Sequence, residues 1–178
     1  MTEEQRMMLE KYKSSFPVQV GKLAEELGLT VVSTTELPSG MSGSISKEGD
    51  HYVIYVNASQ PLRRQRFTIA HEIGHYLKHR SHLDQADEIF NPAKKVILNR
   101  PNNGASAVSD LEERKREYAA DKFAGDLLMP EVAFRDFWSK AQSLKDVADY
   151  FGVSEMAANV RAALLCLGYF DEVNGTTN

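Results

Sequence analysis

Five consecutive residues, His71-Glu72-Ile73-Gly74-His75, combine two imidazoles and a carboxylate at a spacing that can do chemistry. On a helix, residues four apart share one face at about 6 Å, so both imidazoles can reach one ion. Glu72 projects about 100° from His71, near enough to hold a water at that ion without being a ligand. This is an HExxH arrangement, and it suits metal-assisted hydrolysis with one zinc ion per chain and Glu72 as general base. The opposing reading is an exposed helix with two surface histidines. Phe67, Ala70, Ile73, Gly74 and Leu77 argue against it, because they give the helix a wide apolar face that the histidine pair borders.

Catalytic zinc needs a third protein ligand and an open position. A third histidine in the order HExxHxxGxxH fails here: Lys78 stands where the glycine belongs, Ser81 where the histidine belongs, and His82 is one residue late. His79 lies about 12 Å from His71 along a helix axis, too far to share its ion. A helix predicted over 110–129 offers a carboxylate instead. At about 100° per residue, Ala120, Ala124, Leu127 and Leu128 fall within about 80° of Glu117, which puts Glu117 inside the apolar stripe. A carboxylate there is costly unless a charge pairs with it, and zinc would do so. Glu113, one turn earlier, is the competing ligand, and a salt bridge from Glu117 to Arg63, Arg64 or Arg66 is the structural alternative. Asp121 is placed to hydrogen-bond the far nitrogen of a ligating histidine, so Glu117-x-x-x-Asp121 has the gluzincin form. Tyr76, Arg100 and Tyr118 are candidates for stabilising an oxyanion or touching substrate, and spacing does not choose among them.

The elements that must position these residues follow from periodicity. Helices are predicted over 3–15 and 18–27, the second stopped by Gly28. Strands follow at 30–34, 41–47 and 51–56, forming a small, at least partly antiparallel sheet. Pro61 opens the HExxH helix, which runs through Arg80. Residues 81–109 are a long connection with one strand candidate at 95–98. Asp110 caps the next helix, Pro130 stops it, and helices follow at 131–140, 143–151 and 154–167, the last two capped by Ser143 and Ser154. This order gives an α+β fold, a small antiparallel or mixed sheet against a zincin-like helical core, in one domain over 1–170 with a polar tail at 171–178. A peptide substrate is expected to add to a sheet edge supplied by 51–57 or 95–98.

Composition narrows the class. The 178 residues carry a formal net charge of −4, so no global basic field points to nucleic acid or an anionic membrane. The acidic start has no apolar run after it, and no stretch approaches a membrane span. The single cysteine, Cys166, excludes an internal disulfide, fits a reducing, cytoplasmic compartment, and is expected to be a buried inert thiol.

Two segments, Arg64 through Tyr76 and Glu117 through Pro130, resemble the ImmA/IrrE family of metallopeptidases, and the ending Phe151-Gly152-Val153-Ser154 followed by Arg161 is similar to it too. The likeness runs from about residue 18 to 170. The family often has Asn where Asp121 stands and Glu where Ala119 stands. The resemblance implies a cytoplasmic bacterial or phage zinc peptidase that cleaves a helix-turn-helix repressor, often encoded beside it, and so relieves repression. Two other classes stand beside this one: a zinc-binding regulator or toxin-antitoxin-like partner with little turnover, and a DNA-binding module using residues 143–167. Against the second, Lys145 and Arg161 are outweighed by Asp146, Asp149 and Glu155, and Met156, Ala157, Val160, Ala163 and Leu164 read as core.

Overall fold

Local signals set most element boundaries in the computed structural model, which describes residues 1–84, 90–91, 96–97, 107–168 and 170. Arg100 and the tail 171–178 lie outside these residues. Thr2 and Gln5 form a reciprocal capping box that starts α1 (Glu3–Tyr12), satisfying backbone donors that a helix start leaves open. Helix α2 (Val20–Glu26) ends ahead of Gly28, whose φ of +77° turns the chain into β1 (Leu29–Thr34). Strands β2 (Gly43–Glu48) and β3 (His51–Asn57) form a hairpin.

The sheet order is β1-β3-β2, with β1 parallel and β2 antiparallel to β3, so the sheet is mixed and the fold is α+β. This order overturns the expectation that residues 51–57 supply a free edge, because β3 is the central strand. Tyr52 through Val56 are all buried: Tyr52 and Ile54 face the main core, while Val53 and Tyr55 pack with Leu37 on the other side. A continuous apolar run is what a strand covered on both faces requires. Among the described residues β1 and β2 are the edge strands, and β2 is the one that lies along α3. The strand expected at 95–98 has two described residues, Val96–Ile97 (β5), paired antiparallel with Phe90–Asn91 (β4).

Helix α3 (Leu62–Leu83) starts behind Pro61 and crosses the sheet. It breaks locally at His79, with φ −129° and ψ 27°, before its last turn. That turn is tied down by Asp84, which accepts from Lys47 Nζ at 2.9 Å and from the Tyr52 hydroxyl. Helix α4 (Ala107–Leu128) begins three residues before Asp110, so Asp110 is not its cap. Helices α5 (Glu131–Trp138), α6 (Leu144–Phe151) and α7 (Glu155–Leu164) follow. Ser143 and Ser154 cap α6 and α7 as expected, each accepting a backbone N–H at 3.1 Å.

The core gathers around fully buried Leu23, Ile54, Ile73, Leu127, Phe134 and Phe151, each contributing about 1.5–3 kcal/mol by burial. Arg161 is buried with them. Its Nη1 donates to Asp126 at 2.6 Å and its Nε to the Met129 carbonyl at 2.9 Å, pinning α7 to the end of α4. Two expectations fail at α7. Its buried face is Ala158, Arg161, Ala162 and then Leu165, whereas Met156, Val160 and Leu164 are exposed and Ala157 is half-buried. Arg161 takes the inward position because Asp126 and the Met129 carbonyl satisfy it there, and the apolar residues rotate outward. Cys166 is exposed, since α7 ends at Leu164 and the chain turns away with Cys166 at φ 56°.

Candidate metal centre

The four-residue spacing of His71 and His75 brings their Nε2 atoms to 3.0 Å on one face of α3. Glu117 on α4 reaches both, with one carboxylate oxygen 3.3 Å from His71 Nε2 and the other 3.4 Å from His75 Nε2. Donors at the corners of a tetrahedron with bonds of about 2.0–2.1 Å are about 3.3 Å apart. The three residues therefore offer donor atoms at the separations an ion of that coordination needs, and together they form a group that could hold a metal. His71 Nδ1 lies 2.8 Å from Asp121 Oδ1. With that nitrogen carrying the proton, the Nε2 lone pair faces the cluster.

Three carboxylates surround two imidazoles. Burial pushes His71 down, but its hydrogen bond to Glu117 and the charges of Glu72 and Asp121 outweigh this and hold its pKa above the usual histidine value. Hydrogen bonds from His71 and His75 hold Glu117 well below the usual carboxylate range. Glu72 is buried at 7% exposure, and burial raises its pKa despite the two histidines. The region is electrostatically suited to a cation.

Two glycines let the backbone come close enough to build the site. A Cβ on Gly74 would lie 3.0 Å from Phe123 and 3.2 Å from the Ala120 Cα, so α3 and α4 cross here so closely that a larger residue would make its neighbours give by a few tenths of an ångström. That crossing puts Glu117 within reach of the histidines. A Cβ on Gly43 would lie 2.3 Å from Thr68 and 2.6 Å from the Tyr55 carbonyl, so β2 lies hard against α3. Between β2, α3 and α4 runs a cleft of about 910 Å³, lined by both histidines, Glu72, Glu117 and Asp121. Asn57 N donates to the Ser42 carbonyl at 2.9 Å. The antiparallel ladder alternates from there, so Gly43, Ile45 and Lys47 turn their backbone groups away from β3.

The structure brings His71, Glu72, His75, Glu117 and Asp121 together, as their spacing predicts. Glu113 also lines the cleft, but the group with converging donors is His71, His75 and Glu117. Glu117 is not buried in the stripe as expected: its side chain is 48% exposed, at the point where the stripe runs out into the cleft. The three arginines of the salt-bridge alternative are engaged elsewhere, Arg63 with Asp149, Arg64 with Ser42, and Arg66 with the Gly152 carbonyl. Tyr76 faces away from the cleft, buried edge-on to Tyr52 with ring centroids 5.0 Å apart. Its position, five residues and about 140° round from His71, carried that signal. Tyr118 is 66% exposed and outside the cleft lining. Arg64, Arg116 and His82 do line it, and none of them was singled out for that role by spacing. Residues 143–167 form the expected helix-turn-helix shape around Gly152 at φ 65°. The outward face of α7 is apolar, and its arginine is the buried Arg161, so the face lacks the cations that phosphate contacts need.

A family model described as IrrE N-terminal-like domain, of a peptidase family, matches residues 24–163. No curated protein matches the chain significantly in sequence. Among solved structures, a Mycobacterium tuberculosis transcriptional regulator shares the fold, with a TM-score of 0.58 at 18% identity. The match covers 92% of this chain and 47% of the regulator, so the chain spans about half the length of that structure. Among the described residues, no helix is long and apolar enough to cross a membrane.

Proposed function

The chain belongs to the IrrE N-terminal-like domain family, and from that premise we propose that it is a zinc-dependent endopeptidase that cleaves a helix-turn-helix repressor in the cytoplasm and so relieves repression. The convergence of His71, His75 and Glu117 donors, with buried Glu72 beside them, carries this reading. Two imidazoles and a carboxylate with one position left open suit catalytic zinc better than magnesium or calcium, which prefer oxygen ligands alone. Zinc held there would supply Lewis acidity, acidifying water and polarising a peptide carbonyl. Glu72, next to a ligand and lining the cleft, takes the proton of the attacking water and returns it to the leaving amine. Asp121 fixes the tautomer of His71.

An extended peptide adds to the outward backbone groups of Gly43, Ile45 and Lys47, antiparallel to β2, the commoner direction for strand pairing. A role in transcription is in keeping with the regulator that shares the fold. The test is to incubate the zinc-loaded chain with the helix-turn-helix repressor encoded nearest to it. Cleavage to two fragments, abolished by a chelator and by His75→Ala, supports the proposal. Tight binding with no fragments would replace it with a zinc-binding regulator of little turnover.

A further inference from the structure

The charges along the cleft are unevenly placed. Arg116 and His82 flank the metal centre towards the end of α3, and Glu113 lies one turn before Glu117 on α4, on the same side. At the opposite end, where Ser42 and Gly43 open β2, the described lining is Met41, Phe67, Thr68 and Arg64, with Asp121 between them and the metal centre, held to His71 Nδ1 at 2.8 Å. Arg64 precedes His71 by seven residues, which is two helical turns, so it shares the histidines' face about 10 Å away along the axis. Its guanidinium is held in place. Nε and Nη2 donate to Ser42 Oγ at 3.3 and 3.1 Å, and the group sits over the Phe67 ring, 5.7 Å from its centre. Among the described residues no carboxylate pairs with it, whereas its neighbour Arg63 is matched by Asp149. An exposed, oriented guanidinium with donors left over is built to meet a planar carboxylate.

Direction follows from β2, whose Gly43 packs against Thr68 and whose Lys47 bonds Asp84, so the strand runs the same way as α3. A peptide antiparallel to β2 therefore has its C-terminal half at the Ser42 end. At about 3.3 Å per residue, 10 Å spans about three residues. Resting on the peptidase reading, we propose that Arg64 is a specificity residue that binds a substrate carboxylate about three residues downstream of the scissile bond. The carboxylate can be an Asp or Glu side chain or the chain terminus, since the chemistry is shared.

The test uses the full chain, zinc-loaded, and fluorescent decapeptide libraries with Glu or Gln fixed at one position and the rest random. Cleaved bonds are mapped by mass spectrometry for wild type, Arg64→Gln and Arg64→Lys. Wild type should prefer Glu over Gln downstream by about three- to fivefold, the scale of an exposed ion pair, through KM with kcat little changed. Arg64→Gln should lose the preference, and Arg64→Lys should keep part of it. Amidating peptides that end at this position separates a terminal carboxylate from a side chain. A preference that survives in Arg64→Gln, or one found upstream, overturns the proposal. The Glu72→Gln protein keeps this independent of turnover: it should bind the downstream-Glu library more tightly than the Gln library, and adding Arg64→Gln should equalise them. Equal binding in Glu72→Gln itself overturns the role of Arg64. An absence of cleavage by wild type alongside that binding difference instead counts against the peptidase reading.

Discussion

Helix α4 carries two carboxylates that meet buried or half-buried partners, and they are completed differently. Asp126 faces Arg161 at 2.6 Å and also pairs with Lys122 at 2.8 Å. Burial pushes Asp126 up, but these two cations outweigh it and its pKa lies below the ordinary value. Glu117, nine residues earlier, faces two imidazoles that are neutral unless protonated, with Glu72 and Asp121 close by. The first cluster is finished within the chain. The second gathers donors and negative charge around one point, which a dication would balance. Charge pairing thus separates a structural clasp from a group that could hold a metal ion.

If the second cluster is the chemical one, its most sensitive residue is Glu72. Glu72→Gln keeps shape and hydrogen bonding but cannot take the proton, so cleavage should fall roughly 100- to 10,000-fold while zinc content stays at one per chain. A variant that cuts at the wild-type rate would break the contrast, leaving two structural clusters. Next is the ligand itself. In competition with a chelator, Glu117→Gln should lose zinc affinity by more than the roughly 10- to 100-fold expected of Asp121→Asn, because a neutral amide is a poor zinc ligand. Glu113→Gln should hold zinc nearly as wild type does, and if it is instead the weakest of the three, the ligand lies one turn earlier on α4. The smallest effect belongs to the clasp. Arg161→Met should cost roughly 2 kcal/mol in urea unfolding, less than a fully buried pair would, since Asp126 keeps some solvent. Its zinc affinity should be unchanged, and a loss of zinc would show that the two clusters are coupled through α4.

Much of this was legible in the residues. The spacing of His71 and His75 is a local property of a helix, and Glu117 with Asp121 follows from the same periodicity on α4. What spacing cannot supply is where one element meets another. The burial of Glu117 was misjudged because the wheel gives an angle and not the point at which the stripe opens into the cleft. The roles of Gly43 and Gly74 depend on Thr68, Tyr55, Ala120 and Phe123, none of which is near in sequence. The central place of β3 had a signal, the unbroken apolar run Tyr52 to Val56, which alternation-based reading passed over. At α7, composition points the apolar residues inward, but Arg161 competes for that face, and its partner Asp126 is 35 residues away.

Strand β2 is fastened to α3 near both its ends, by Arg64 on Ser42 and through Lys47 on Asp84 behind the last turn. Mechanically it is a beam clamped near each end to one helix, on either side of the break at His79, with Gly43 in contact beside the Ser42 clamp. Moving β2 away from α3 means breaking one of these clamps. If a substrate chain pairs with this strand edge as proposed, it must do so extended. The timing of cleavage would then rest with the target: the scissile stretch must first unravel from its own fold, and the rate of cutting would report how often it does.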